Sequence, residues 1–322
     1  MPALSDLVGG LADLREALRL SLELGLGNET IRSYGNLGDW VWVAEGSAQG
    51  LDVKRAGIEF GERRGLTLPV AWAKAEMLWP LFDLGRWDEL LRIARELIEW
   101  DRRHGGGQVG VVALTYMAYV FACRGEVSQA HDLAAEFLPR AREIRDPQVL
   151  VPAVTVVSLI ENTRGNHVTT VRLIEEIEEI TRDRPVFRAR HLPEVVRMSV
   201  AAGAIGLAER LMDSRLHQAA RHQYSALASR AVLTEARGKP GEASAIYSEV
   251  AARWASYGFA WEHGQALLGA GRCFLVVSQH REAAEHLREA RRTFDALQAG
   301  RLAAEAAQLL AESERGSRRQ DG

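Results

Sequence analysis

A short punctuation mark recurs along this chain and restricts what it can fold into. A glycine is followed five residues later by a small or apolar residue that opens an amphipathic run. It reads GRWDEL at Gly85–Leu90, GEVSQA at Gly125–Ala130 and GKPGEA at Gly238–Ala243. Weaker copies start at Gly46, Gly165 and Gly203, and a last copy at Ser278 lacks the glycine. The starts at 46, 85, 125, 165, 203, 238 and 278 lie 35 to 40 residues apart. Self-similarity at such a period signals a repeat array rather than a globular fold with one centre.

The residues around each mark predict two helices. Glycine suits the left-handed position just past a helix end, so a helix A closes at the mark and a helix B opens after it. The pairs run roughly 29–45/48–64, 69–84/87–103, 108–124/127–143, 147–163/167–182, 187–202/204–214, 219–237/241–256 and 259–277/280–297. Nine residues after the mark stand Ala94, Ala134, Ile174, Met212, Tyr247 and Leu287. Twelve after it stand Ile58, Leu97, Phe137, Ile177, Val250 and Ala290. Both columns share one face of helix B, and the small residue at the fifth position lets helices A and B approach. One pair cannot bury its apolar face, but seven stacked pairs can. The expected fold is an all-α, right-handed superhelical solenoid with helix A on the concave side. A partial repeat at 1–25, with helical spacing at Leu11, Leu14, Leu18 and Leu22, precedes repeats 29–297. A capping helix at 301–314 follows, then a disordered tail at 315–322. The abrupt start hints that the chain was cut from, or evolved from, a longer protein.

Composition narrows function mainly by exclusion. Hydrophobic content of 47% with 26% charge fits a folded, soluble chain. The net charge of −3 gives no basic signal for nucleic acid or an anionic membrane. Of 40 basic residues only Lys54, Lys74 and Lys239 are lysine, the arginine bias of a GC-rich bacterial genome. The N-terminus lacks a basic segment before an apolar core, so it is no signal peptide. The longest apolar runs, VGVVAL and VLVPAVTVVSLI, fall short of the roughly 20 residues a membrane span needs. Cys123 and Cys273 lie in different repeats and read as free buried thiols in a reducing cytoplasm.

No catalytic constellation emerges. The Gly-x-Gly of LGAGRC falls inside a helix with no preceding strand, so it reads as close helix packing. His217 and His222 are five apart, not four as on a zinc helix, and Arg188, Arg190 and His191 form a basic cluster without carboxylates. The acidic run Glu175–Ile180 reads as a solvated helix B face. No enzyme activity, cofactor or metal is expected.

With the small residue of each mark at the mid-repeat alanine position, the chain resembles tetratricopeptide repeats, although its period exceeds their usual 34 residues. The last repeat, GQALLGAGRCFLVVSQHREAAEHLREARRTFDALQAG, and the opening IRSYGNLGDWVWVAEGSAQGLDVKRAGIEFGERRGL look like the repeat region of large bacterial signal-transducing ATPases. These include LuxR-type regulators and cyclase-linked ATPases. Their phosphate loop has no counterpart here, since the only Gly-Lys pair, Gly238–Lys239, precedes Pro240. No helix-turn-helix segment follows the repeats, so ATP hydrolysis and DNA binding do not carry over.

The resemblance implies a non-enzymatic scaffold that binds a partner protein, peptide or small effector on its concave face, in bacterial signalling or transcriptional regulation. The alternative is a detached sensor subunit working with an ATPase or DNA-binding partner in trans. It also implies that side chains three, six, ten and thirteen residues before each mark line the groove. Those singled out are Asn36, Trp40, Trp72, Trp79, Phe82, Tyr119, Asn162, Arg190, Arg197, Glu235 and Arg272, aromatic toward the N-terminus and arginine-bearing toward the C-terminus. Aromatics and arginine dominate binding hot spots. The competing reading makes the aromatics inter-repeat core. The Lys/Asn carboxylate clamp of some tetratricopeptide domains is absent.

Overall fold

The computed structural model describes residues 7–212 and 219–320. Among them are seventeen helices, nearly all packed on the next in sequence. Leu7–Glu23 (α1) stands alone. The first pairs are Gly27–Ala44 (α2) with Ser47–Glu62 (α3), and Thr67–Asp83 (α4) with Trp87–Arg103 (α5). Then come Gln108–Arg124 (α6) with Val127–Ile144 (α7), and Pro147–Thr163 (α8) with His167–Ile180 (α9). The fifth unit holds Val186–Ala189 (α10), Leu192–Ala201 (α11) and Ile205–Leu211 (α12). Ala220–Ala236 (α13), Pro240–Tyr257 (α14), Ala260–Val276 (α15) and His280–Ala296 (α16) complete the pairs, and Gly300–Gln320 (α17) covers the last one.

The marks behave as their chemistry requires. Gly125 ends α6 with φ 90°, and Ser278 takes φ 59° after α15 despite carrying a side chain. The fifth-position residues Ala130, Thr170, Ala208, Ala243 and Ala283 are fully buried at the crossing of each pair. So are Phe137, Ile177, Val250 and Ala290 twelve residues after the mark. Burying a side chain such as Phe137 contributes about 2–3 kcal/mol. One apolar core runs unbroken from Ile31 to Leu310, while Leu11 of α1 joins Leu37 and Val41 in a small cluster of its own.

Three departures from the expected bounds have local causes. The helix expected over 187–202 breaks at Arg190–His191, because Pro193 cannot donate a backbone hydrogen bond and stands instead in the first turn of α11. Its partner α12 is only seven residues long, and the expected end at 213–214 lies outside the described residues. The closing helix α17 continues to Gln320, past the expected end at 314. No described helix is long and apolar enough to cross a membrane.

Helices α6 and α8 are buried almost all the way round, from Val109 to Val120 and from Val149 to Glu161. A helix apolar on every side needs neighbours on every side. The array supplies them by curling until its C-terminal repeats meet its N-terminal ones.

Candidate functional site

The meeting line is a buried polar seam across the concave face. Asp83, at the end of α4, accepts hydrogen bonds from Trp42 Nε1 at 2.7 Å and Ser47 Oγ at 3.0 Å. Arg221 of α13, 138 residues on in sequence, reaches Asp83 through both terminal nitrogens, Nη2 at 3.3 Å. The Arg221 guanidinium also lies over the rings of Trp42 and Phe259, at 4.4 and 4.5 Å. The Tyr257 hydroxyl donates to the Trp42 carbonyl. Phe82 meets Phe259 edge-on, and Trp87 lies 5.9 Å from Trp261. Burial works against the Arg221 charge, but Asp83 outweighs it and holds the guanidinium above its usual value. Burial raises the Asp83 carboxyl, with Arg221, Trp42 and Ser47 pulling it back.

Two further ion clusters face the same interior. Arg197 grips Glu262 through two nitrogens at 2.5 and 2.8 Å and also Glu194 at 3.0 Å. Trp261 Nε1 donates to Glu194 at 3.0 Å. Toward the other end, Lys54 is 1% exposed and lies 2.6 Å from Asp39 and 3.5 Å from Glu76. Burial raises the Glu76 carboxyl against the pull of Lys54.

Closure turns the concave groove into a lumen with a packed waist and a cavity at each end. Trp79, Phe82 and Tyr119 form the waist, at 2, 3 and 5% exposure. Phe82 stacks on Tyr119 at 4.2 Å and on Trp87 at 5.4 Å. The aromatic N-terminal half of the expected groove is therefore filled by the protein itself, because α13–α15 press against it.

The C-terminal end opens as a cavity of about 590 Å³, lined by Asn162, Arg197, Val232, Glu235, Gln265 and Arg272 among others. Arg272 holds Glu235 at 2.6 and 2.9 Å, and Tyr247 donates to the same carboxylate at 2.8 Å. The buried Oδ1 of Asn162 has no donor. The N-terminal end has a cavity of about 120 Å³ where Asn36, Trp40 and Arg190 meet. A wider mouth of about 510 Å³ shares Asn36 and adds Trp72. Trp40 also packs on the small α1 cluster. Of the eleven side chains singled out, four thus gather at the C-terminal cavity, four at the N-terminal end and three in the waist. The sequence reading missed Trp42, Asp83, Glu194, Arg221 and Glu262. A signal existed, for Glu76 and Asp83 stand seven apart on one face of α4, a helix otherwise apolar but for Thr67 and Lys74.

The cysteines lie buried and unpaired. Burial raises the Cys123 thiol well above its usual value and pushes Cys273 up to about 12, away from the thiolate that nucleophilic chemistry needs. Gly269 and Gly271 pack against Tyr247 and Leu287, close helix approach rather than a phosphate loop. Among the described residues no three His, Cys, Asp or Glu side chains gather as a metal site.

No family model matches the chain, and no curated protein matches it. Among solved structures, it is similar to a signal transduction ATPase with numerous domains from Pyrococcus horikoshii, which has a tetratricopeptide repeat sensor. Identity is 12% and the TM-score 0.47, over 82% of this chain and 43% of that one. The chain thus spans less than half of that protein. A tetratricopeptide repeat protein from Parabacteroides merdae is similar at 14% identity and TM-score 0.45, over 92% and 98% of the two chains. A circular tandem repeat protein with novel repeat topology is similar at 13% identity and TM-score 0.27, over 96% and 89%. With paired helices at a period near 40, a left-handed turn after α6 and a small residue at most crossings, the chain is an all-helical solenoid of tetratricopeptide-like repeats.

Proposed function

We propose that the chain is a non-enzymatic binding scaffold whose C-terminal lumen cavity receives a small effector or the end of a partner chain. The carrying observation is register. Leu159, Arg197, Val232 and Arg272, each six residues before a mark, line the cavity from four consecutive repeats. The packed waist excludes a peptide threaded along the whole concave face, so the occupant enters from one end. Mixed apolar and hydrogen-bonding walls suit orientation of one specific ligand. Bacterial signalling or transcriptional regulation in the cytoplasm is the setting the family resemblance implies, with no direct contact to nucleic acid or membrane.

Gln265 lines the cavity half-buried, so Gln265→Trp fills the space without removing a core contact. Wild type and variant, matched for helicity and melting, would be compared by pull-down from native lysate and by native mass spectrometry. The ligand or partner held by wild type is expected to be lost from Gln265→Trp. Equal retention by both would place binding elsewhere.

A further inference from the structure

We propose that the N-terminal end of the lumen is a second binding site, with Arg190 taking the carboxylate of a ligand whose body is aromatic or branched and apolar. The site is separate from the C-terminal cavity and stands whether or not that cavity binds anything.

The argument begins with an accounting of interior cations. Lys54 has Asp39, Arg197 has Glu262 and Arg221 has Asp83. Arg190 projects from the break that Pro193 forces between α10 and α11, with its guanidinium carbon 4.7 Å from the Trp42 ring and 4.6 Å from that of Trp79. Among the described residues it has no carboxylate within 4.0 Å. Contact with two indoles holds a guanidinium through its face and leaves the N–H groups at its edge unused. Such an edge matches a carboxylate through two parallel hydrogen bonds.

A second donor without a partner lies close by. Trp79 is 2% exposed, and its Nε1 has no acceptor. It lines the same narrow space as Arg190, together with buried Tyr116. A buried donor without a partner is unfavourable unless something occupies the space beside it. That space shares Arg190 with the 120 Å³ cavity, whose apolar walls are Trp40, Val43, Val186 and Phe187, with the Asn36 and Gln148 amides also lining it.

Charge selects the class of anion. Asp39 and Glu76 also face this cavity, and both belong to Lys54. Lys54 offsets one of them, and burial favours the protonated form of Glu76. Arg190 therefore faces little net negative charge here, which suits one singly charged carboxylate, whereas a dianionic phosphate would bring two charges against one arginine. The apolar walls favour an acid with a hydrocarbon body over acetate.

The test uses the full chain and follows its own tryptophan emission, since Trp40, Trp42 and Trp79 surround the site. Benzoate represents a free acid and N-acetylphenylalanine a chain terminus. Each is titrated beside its neutral amide, and inorganic phosphate is run in parallel. At least one acid should quench emission saturably and bind about tenfold or more tighter than its amide, as loss of a charge-assisted pair implies. Which of the two binds identifies the source of the carboxylate. Arg190→Gln should abolish the preference for acid over amide. Should that variant fold poorly, Gln148→Trp, which fills the cavity from its rim, should block the acid instead. The proposal is overturned if neither acid binds, if acid and amide bind equally, if phosphate binds tighter than both acids, or if a folded Arg190→Gln or Gln148→Trp keeps wild-type affinity.

Discussion

His191 sits at 7% exposure, and burial, with Arg190 and Arg221 adding to it, lowers its pKa to about 3. In the unfolded chain the imidazole titrates near 6.5. Between those values the unfolded state binds the extra proton, so the folded state is disfavoured as pH falls from about 6.5 toward 3 and suffers no such loss above 6.5. The loss amounts to roughly 3–5 kcal/mol by the acid end of that window. Glu76, Asp83 and Glu262 are raised by burial and contribute with the opposite slope. Comparing urea unfolding of wild type with His191→Gln across pH 4–7 cancels those carboxylates. Wild type should lose stability more steeply on acidification, and parallel curves would remove His191 from the account. Sequence spacing located the residues nine and twelve after each mark because they answer to helix period alone. His191 was legible only as part of a basic cluster, since the space it lines is shared with Trp42, Trp79 and Asp83 of the first two repeats, which meet it only where the array closes.

At the scale of helices, two glycines separate close approach from intrinsic preference. A Cβ on Gly50 of α3 would come within 2.7 Å of the Trp42 backbone on α2, where neither chain segment can yield easily. A Cβ on Gly206 of α12 would meet nothing within 4 Å. Gly50→Ala should therefore destabilise by about 1–3 kcal/mol through overpacking. Gly206→Ala should be neutral or stabilise by up to about 1 kcal/mol through helix propensity. Urea midpoints of the two variants decide this, and a shift of the same sign in both would contradict the packing assignment. The helix pairs themselves were legible because left-handed glycines such as Gly85, Gly125 and Gly165 close the first helices, and the start of α8 has a side-chain cap. Asp146 supplies it: its side chain accepts from the Gln148 amide at 2.9 Å, with Pro147 opening α8. The broken fifth unit was less legible. Its glycine mark survives, and the interruption depends on one proline whose tolerated position is set by the turn before it.

For the molecule as a whole, the seam at Asp83 and Arg221 is the feature that helix periodicity could not reveal, since periodicity reports local neighbours and these residues lie 138 apart. The available hint was the all-round apolar character of α6 and α8, which left no polar stripe to face a groove. Arg221→Met would strand Asp83 as a buried charge and should destabilise by about 3–5 kcal/mol. Adding Asp83→Asn should recover part of that loss, because coupled residues are not additive. Small-angle scattering should show a larger radius of gyration for Arg221→Met than for wild type. Additive losses with unchanged dimensions would mean that closure does not depend on this pair.

Contact between the N-terminal and C-terminal repeats also changes how such a chain can vary. In an open solenoid each repeat answers only to its neighbours, so units can be gained or lost with little consequence elsewhere. Here, removing one helix pair would rotate Arg221 away from Asp83 and Trp261 away from Trp87, and an added pair would carry them past each other. Closure therefore fixes the number of repeats as firmly as it fixes their shape. It also makes folding wait on contacts between distant parts of the chain, which slows it relative to an open array of the same helices.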